Sequence, residues 1–247
     1  RWYAPNNATL VVVGDVDAEE VFGVAQAKFG PIPAHDLPAR KSQIEPTQRG
    51  IKRVTVKGPG ELPYLLMGWQ VPVLRNLEKD WEPYALSMLV GVLDGSDAAR
   101  LDRTLVKEAR IAISAGANYD SVGRGPGIFF LDGVPAPGTT VAELESALRA
   151  AVRKIVNEGV NEEELKRVKA QVIASQVFQR DSMFYQAMQM GVLSTVGLPY
   201  NSADLQVRKL REVTPEQVRA VARKYFVDDS LTVAVLDPQS LVQRTAA

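Results

Sequence analysis

Side chains that could catalyse a reaction or hold a metal are scarce in this sequence. Its 247 residues include one histidine, His35, and no cysteine. Cysteine–histidine catalysis, thiolate-bound zinc and disulfides are therefore excluded, and a Ser–His–Asp triad would have to use His35. That histidine has no second histidine to pair with, and a zinc site needs three or four protein ligands. We interpret it as a solvated linker residue and predict that this chain contributes no catalytic, cofactor-binding or metal-binding residue.

Other short motifs favour structural roles. Gly123–Gly127 precedes a predicted strand rather than a helix, so it is interpreted as a hairpin turn and not as a phosphate cradle. Asp94–Asp97 lacks the twelve-residue spacing and the terminal glutamate of a calcium loop. Methionine and aromatic residues recur at helical spacing between residues 183 and 190. This spacing predicts core packing rather than a peptide-binding face.

Charge and hydropathy exclude several classes of partner. The sequence has 29 Lys and Arg against 29 Asp and Glu, so its net charge is zero. A nucleic-acid protein or a polybasic membrane anchor needs an excess of positive charge, and we therefore expect neither. No apolar run approaches the roughly 18–20 residues that cross a bilayer. The basic residues between 202 and 225 alternate with acidic ones, which predicts a solvated helical hairpin rather than a DNA-binding helix-turn-helix.

Hydrophobic periodicity places strand patterns before helix patterns twice along the chain. The predicted strands are Thr9–Val13, Ile51–Lys57, Pro63–Val71, Ile111–Tyr119, Ile128–Val134 and Leu231–Leu236. The predicted helices are Asp17–Phe29, Glu82–Leu93, Ala98–Ala109, Thr140–Asn157, a long helix from Glu162, Ser202–Glu212 and Thr214–Tyr225. This order predicts an α+β fold with a largely antiparallel sheet and helices covering one face.

Prolines divide the chain into two parts. The stretch from Pro31 to Gly50 contains four prolines among scattered charges, which is typical of an extended linker. We therefore predict the terminal strand and helix of a first domain in residues 1–34, a linker in residues 35–50, and a second domain in residues 51–247.

One internal comparison indicates a duplication. The segment Tyr225–Asp237 aligns without gaps on Tyr3–Asp15, with tyrosine, a turn-forming pair, an apolar strand and aspartate in matching positions. The second copy ends a domain, whereas the first copy immediately precedes the linker. We interpret the two as equivalent parts of a duplicated domain. On this interpretation we expect most of the first domain to lie upstream of Arg1 in a larger polypeptide.

The block from Trp2 to Asp17, with its Tyr3, Pro5-Asn6-Asn7 and Gly14-Asp15, resembles the pitrilysin/insulinase family of zinc metallopeptidases, which includes the mitochondrial processing peptidase. Phe29–Pro33 is similar to the helix end that follows in that family. Gly91–Leu101 resembles its L-x-G-x-x-x-S-R-L block, and Thr104–Glu108 resembles its L-R-E helix end. The resemblance covers nearly the whole chain in the same order.

The resemblance implies a metallopeptidase-like duplicated domain whose catalytic machinery lies elsewhere. The family holds zinc with an inverted H-x-x-E-H helix and a distal glutamate in its first domain. None of these residues is present here, so Zn²⁺ is expected only in the missing N-terminal domain of the parent protein. The second domain of such a protein helps to enclose the substrate chamber and docks a partner half, identical or different. The implied function is a portion of a peptide-degrading or peptide-processing zinc endopeptidase, inactive as an isolated fragment.

Two residues are possible contacts in the substrate chamber. A non-zinc half of this family often steadies the substrate carbonyl with an arginine and a tyrosine about seven residues later. Arg124 lies in the corresponding hairpin region, but Tyr119 precedes it instead of following it. This difference favours a zinc-bearing parent, for which the resemblance implies a bacterial periplasm or cell envelope, with the cytoplasm as the alternative. A non-enzymatic assembly subunit on the same fold remains the alternative function.

Overall fold

The computed structural model describes residues 2–41 and 46–240. The strands in chain order are β1 Lys52–Pro59, β2 Tyr64–Val71, β3 Ala112–Tyr119, β4 Gly127–Pro135 and β5 Leu231–Gln239. The α-helices are α1 Ala18–Phe29, α2 Glu82–Asp94, α3 Val141–Glu158, α4 Glu162–Phe178, α5 Met183–Val196, α6 Ala203–Glu212 and α7 Pro215–Tyr225. None of the helices in these two ranges is long and apolar enough to cross a membrane.

The five strands form one sheet in the order β1-β5-β2-β4-β3. The β3–β4 hairpin and the β2–β4 and β2–β5 pairs are antiparallel, whereas β1 lies parallel to β5 with Lys52 opposite Thr232. The expected mostly antiparallel sheet is therefore confirmed. The last strand along the chain occupies an interior position, so the sheet is complete only when both ends of the domain have folded.

The helices cover one face of the sheet, as expected. Alternate residues of β2 and β4 point into the core, and Leu65, Met67, Phe129 and Leu131 have no exposed surface. Leu144 of α3 is equally buried on the helical side. Burying a side chain of this size stabilises the fold by about 1.5–3 kcal/mol. The opposite face carries Leu66, Gly68, Phe130, Thr232 and their neighbours, and no described helix packs on it.

Three helices begin where their capping residues predict. Thr140 and Glu143 form a reciprocal capping box at the start of α3, and Thr214 forms one with Gln217 at α7. Asn161 accepts the backbone N–H of Glu164 at the start of α4. These bonds satisfy backbone N–H donors that have no carbonyl partner within the helix. The capping residues therefore allow the first residue of each of these helices to be predicted from the sequence.

The Gly91–Leu101 block joins α2 to α4. A Cβ on Gly91 would lie 2.5 Å from a methyl group of Val168, so only glycine permits this close approach of the two helices. Arg100 donates a pair of hydrogen bonds to Glu164, at 2.9 and 2.7 Å, and one to the carbonyl of Gly159 at 3.1 Å. The glycine and the arginine therefore hold the same helix from two points.

Two helical predictions need correction. The predicted helix Ala98–Ala109 is largely a π-helix, over Asp102–Glu108, which sequence periodicity at 3.6 residues does not reveal. The long helix from Glu162 ends at Phe178, and α5 follows as a separate helix.

The prediction of core packing between residues 183 and 190 was wrong, since Phe184 is 78% exposed and Met183 62% exposed. Helical spacing identified a common apolar face but could not show what covers it.

The predicted strand Thr9–Val13 is also wrong as secondary structure. These residues pair with no strand in the part of the chain described, and the side chain of Leu10 is 62% exposed. A strand exists only with a neighbour that satisfies its backbone groups, whatever its apolar content. Helix α1 forms behind its Asp17 cap but contains no buried residue.

The two aligned segments nevertheless share a local conformation. Pro5–Asn7 forms a 3₁₀ turn ahead of the first apolar run, and Asp228–Ser230 forms one ahead of β5. The residue before each turn is extended. Beyond this turn the two segments differ. β5 pairs with a strand on each side, whereas Thr9–Val13 pairs with no strand in the described residues.

The two edge strands of the sheet, β3 and β1, make different side-chain contacts. At the β3 edge, the carboxylate of Asp94 accepts the backbone N–H of Ala117 at 3.0 Å, and burial raises the pKa of this aspartate. The β1 edge is exposed along almost its whole length. There Arg53 donates two hydrogen bonds to the buried Glu145 of α3, at 2.7 and 2.8 Å. The hydrogen bonds and charge of Arg53 lower the pKa of Glu145.

Candidate functional site

The turn between β3 and β4 is held by a residue distant in sequence. The guanidinium of Arg75 donates to the carbonyl oxygens of Gly123, Arg124 and Gly125 at 2.5, 2.7 and 2.9 Å. The carboxylate of Asp80 in turn accepts the backbone N–H of Arg75 at 2.7 Å. These bonds fix the backbone of the turn that presents Arg124.

The side chain of Arg124 is exposed, and its Nε donates to the carbonyl of Thr195 at the end of α5, at 2.7 Å. Arg124 lines a small pocket of about 250 Å³ together with Trp2, Asn7 and Arg40. The sequence-predicted arginine is therefore accessible to a ligand. It lies where the hairpin, the N-terminal segment and the linker meet.

Tyr119 has a different environment. Its hydroxyl donates to the carbonyl of Pro72 at 2.6 Å, and its ring stacks on Phe129 with centroids 6.2 Å apart. Burial raises the pKa of Tyr119 far above its ordinary value, so the hydroxyl keeps its proton. Arg124 and Tyr119 thus belong to one hairpin, but the tyrosine hydroxyl is already engaged with the main chain.

A groove of about 510 Å³ runs over the helix-free face of the sheet. Its floor includes Leu66, Phe130 and Thr232, and Pro46–Gln48 of the linker forms part of its rim. The amide of Gln48 donates to the carbonyl of Leu231 at 2.7 Å and accepts from the hydroxyl of Thr232 at 3.2 Å. The linker is therefore fastened to the sheet beside an open, largely apolar surface.

The polar end of this sheet face carries a tyrosine–carboxylate pair. Tyr64 donates its hydroxyl proton to Asp132 at 2.8 Å. Burial, followed by the hydrogen bond to this carboxylate, raises the pKa of Tyr64 to about 12. The tyrosine consequently stays neutral at physiological pH and acts as a hydrogen-bond donor.

The predicted turn-forming pair Asn6-Asn7 fastens the N-terminal segment to the linker. The amide of Asn6 donates to the carbonyl of His35 at 2.9 Å and accepts its backbone N–H at 3.3 Å. Asn7 accepts from Arg40 at 3.2 Å. His35 is bound here through its main chain.

The residues present do not fit a zinc site. No group of three or more His, Cys, Asp or Glu that could hold a metal occurs within residues 2–41 and 46–240. A zinc ion bound by protein needs three or four such ligands at about 2.0–2.3 Å. No catalytic step is therefore assigned to a metal held by this chain.

The five-stranded, mostly antiparallel sheet, with helices on one face and an open groove on the other, defines a metallopeptidase-like domain. The sequence matches the family described as the peptidase M16 inactive domain over residues 1–172. The chain belongs to that family.

Two zinc proteases are similar to the chain over almost its whole length. The zinc protease PqqE of Helicobacter pylori is 23% identical over 240 residues, which cover 96% of this chain and 53% of the relative. An uncharacterized zinc protease of Rickettsia bellii is 22% identical over 241 residues, covering 98% of this chain and 56% of the relative. The chain thus spans about half the length of the curated relatives it matches.

Solved structures share the fold. A protease from Helicobacter pylori superposes with a TM-score of 0.86 at 22% identity, covering 96% of this chain and 56% of the other. The periplasmic protease PqqL from Escherichia coli gives a TM-score of 0.78 at 18% identity, covering 97% of this chain and 27% of the other. The first half of PqqL alone gives 0.77 at 18% identity, covering 97% and 53%. At these low sequence identities the structural similarity shows a shared fold and nothing further.

Sequence reasoning missed Arg75 and Arg40. Arg75 reaches carbonyls 48 to 50 residues away, and Arg40 reaches an asparagine 33 residues away. Backbone carbonyls carry no sequence signature, so no motif could identify Arg75. Arg40 is one of several charged residues of the linker, with Asp36, Lys41, Glu45 and Arg49, so nothing in the sequence distinguished it.

Proposed function

We propose that this chain is the second-domain portion of a zinc metalloendopeptidase that degrades or processes peptides. The proposal rests on one observation: the chain belongs to a family of inactive peptidase domains yet spans about half of zinc proteases that it resembles. Zinc and the water-activating glutamate would come from a first, homologous domain. The present chain would enclose the substrate chamber, inactive as an isolated fragment.

Two surfaces suit this role. The groove over the helix-free sheet face is wide and apolar enough to form a chamber wall against which an extended peptide can lie. The exposed face of α5, with Met183, Phe184 and Met188, is assigned to docking of the zinc-bearing half. The N-terminal segment already lies against this helix, because a Cβ on Gly191 would be 3.7 Å from a methyl group of Val11. Apolar surface of this kind marks an interaction site.

Reconstitution tests the proposal. The chain alone should bind no stoichiometric zinc and should not cleave an internally quenched peptide. Adding a zinc-bearing first-domain module of the same family should produce cleavage that depends on both components. Phe184→Glu should weaken the complex in analytical ultracentrifugation, whereas Lys154→Glu, on an exposed position of α3, should not. Zinc bound tightly by the chain alone, or cleavage by the module that ignores this chain, would contradict the assignment.

The location of the parent protein is part of the same proposal. PqqL from Escherichia coli is a periplasmic protease, and the notion of a periplasmic or envelope location for this chain rests on that similarity. Fractionation of the source cells with the native protein tests it. Recovery with the cytoplasmic markers would contradict it.

A further inference from the structure

The pocket between the N-terminal segment, the linker and the β3–β4 turn is lined by two arginine residues. Arg40 and Arg124 both line its 250 Å³, with Trp2 and Asn7 completing the wall. They come from positions 84 residues apart in sequence, so only the fold brings them together. Like charges in one pocket repel each other unless an anion joins them.

Each guanidinium is held in place by neutral groups. The Arg40 guanidinium carbon lies 5.6 Å from the centroid of the Trp2 ring, and one nitrogen donates to Asn7 at 3.2 Å. Arg124 is held by the carbonyl of Thr195 at 2.7 Å. Cation–π contact and carbonyl bonding orient a guanidinium without neutralising it.

Neither arginine forms an ion pair with a carboxylate in residues 2–41 and 46–240. This distinguishes them from Arg53, Arg100, Arg149 and Arg180, which all pair with acids. The remaining N–H groups of both guanidiniums are thus available to an external acceptor. A planar carboxylate matches the fork of a guanidinium and accepts two parallel hydrogen bonds.

We propose that Arg40 and Arg124 form a carboxylate-binding subsite for peptides, with Trp2 supporting the first arginine and Thr195 the second. The ligand class rests on the proposed peptide-handling function, whereas the binding chemistry rests on the pocket. A peptide offers this chemistry either at its C-terminus or on an aspartate or glutamate side chain. The subsite shares no lining residue with the sheet groove and lies where the N-terminal segment, the linker and the β3–β4 turn meet.

Binding to the complete 247-residue chain tests the proposal. Three acetylated alanine-based peptides of equal length serve as probes: one with a free C-terminal carboxylate, one amidated, and one amidated with a single central glutamate. The first or third should bind in a calorimetric titration, and the one that binds more tightly identifies the source of the carboxylate. The amidated neutral peptide should bind at least tenfold more weakly than the tighter of the two.

Substitutions locate the binding. Arg40→Gln and Arg124→Gln should each weaken the carboxylate peptide at least tenfold and leave the melting temperature unchanged, because both side chains are exposed. Arg223→Gln, at another exposed arginine outside the pocket, is the matched control and should leave affinity unchanged. Equal binding of the neutral peptide, unchanged affinity in both pocket variants, or displacement by sulfate at equimolar concentration would overturn the proposal. If the zinc reconstitution fails but these binding results hold, only the proposed function of the parent protein is refuted, and the carboxylate-binding subsite stands.

Discussion

Replacing Arg100 by alanine tests whether the Gly91–Leu101 block stabilises the domain through an ion pair. Arg100 and Glu164 have only 15% and 13% of their side-chain surfaces exposed, and two hydrogen bonds join them. The substitution leaves the Glu164 carboxylate, only 13% exposed, without these two hydrogen bonds and frees the carbonyl of Gly159. Removing one member of a buried pair costs about 3–5 kcal/mol.

The lower end of this range is expected here. The Nη1 nitrogen of Arg100 is buried without a hydrogen-bond partner among the described residues, so the native pair is incompletely satisfied. A loss of about 3 kcal/mol in the free energy of unfolding would lower the melting temperature by roughly 6–12 °C for a domain of this size. Arg103→Ala is the matched control, since its contact with Glu108 spans 3.9 Å and both side chains are more than half exposed. Such a surface pair contributes about 0–1 kcal/mol.

The dependence on pH gives a second measurement. Burial alone would raise the pKa of Glu164, but the hydrogen bonds and charge of Arg100 outweigh it and lower the pKa. A carboxylate with a lowered folded-state pKa stabilises the protein above its unfolded pKa, and this contribution is lost as the pH falls through the folded value. In Arg100→Ala the hydrogen bonds and charge of Arg100 are lost, so burial raises the pKa of Glu164 relative to its value in the native protein.

The stability difference between native protein and variant should therefore be largest near neutral pH and shrink in acid, where Glu164 is protonated in both. Denaturant titrations at about pH 7, 5 and 3.5 measure it by linear extrapolation. A cost indistinguishable from Arg103→Ala, or a difference that does not change with pH, would refute the assignment of this pair as a stabilising contact.

Three further predictions follow from close contacts and their absence. Gly91→Ala should cost about 1–3 kcal/mol in denaturant titration, because the new Cβ overlaps a valine methyl of α4; Gly23→Ala, with nothing within 4 Å of its Cβ, should be neutral or slightly stabilising. Arg75→Ala should accelerate amide hydrogen exchange in the turn at residues 120–126 at least tenfold but leave α3 unaffected. Phe22→Ser should change the melting temperature by less than about 2 °C, because α1 contains no buried residue and Phe22 is 67% exposed.

Local signals predicted the elements whose partners are close in sequence. The β3–β4 hairpin was placed within about a residue at each strand, because two segments with apolar residues flank a glycine-rich turn. The starts of α3, α4 and α7 followed from Thr140, Asn161 and Thr214, whose side chains bond to the helix they begin. The fold class followed from the order of these elements.

Predictions that depended on distant partners were less successful. Thr9–Val13 has the composition of a strand, but composition does not supply the neighbouring strands. The Arg100–Glu164 pair spans 64 residues and the β1–β5 pairing about 180, so neither leaves a local pattern. Arg124 was identified from family resemblance, yet its companion Arg40 emerged only when the chain was folded.

The parallel pairing of β1 with β5 has a mechanical consequence. The linker enters β1 at Lys52, whereas β5 ends at Gln239, at the opposite end of the same pair. Tension between the linker and the end of β5 therefore pulls the two strands past each other in shear. All the hydrogen bonds between them bear the load together, instead of opening one after another as in a hairpin pulled from its two open ends. A pull applied to this domain through the linker and the end of β5 therefore loads the strand pair in the direction in which it resists separation most strongly.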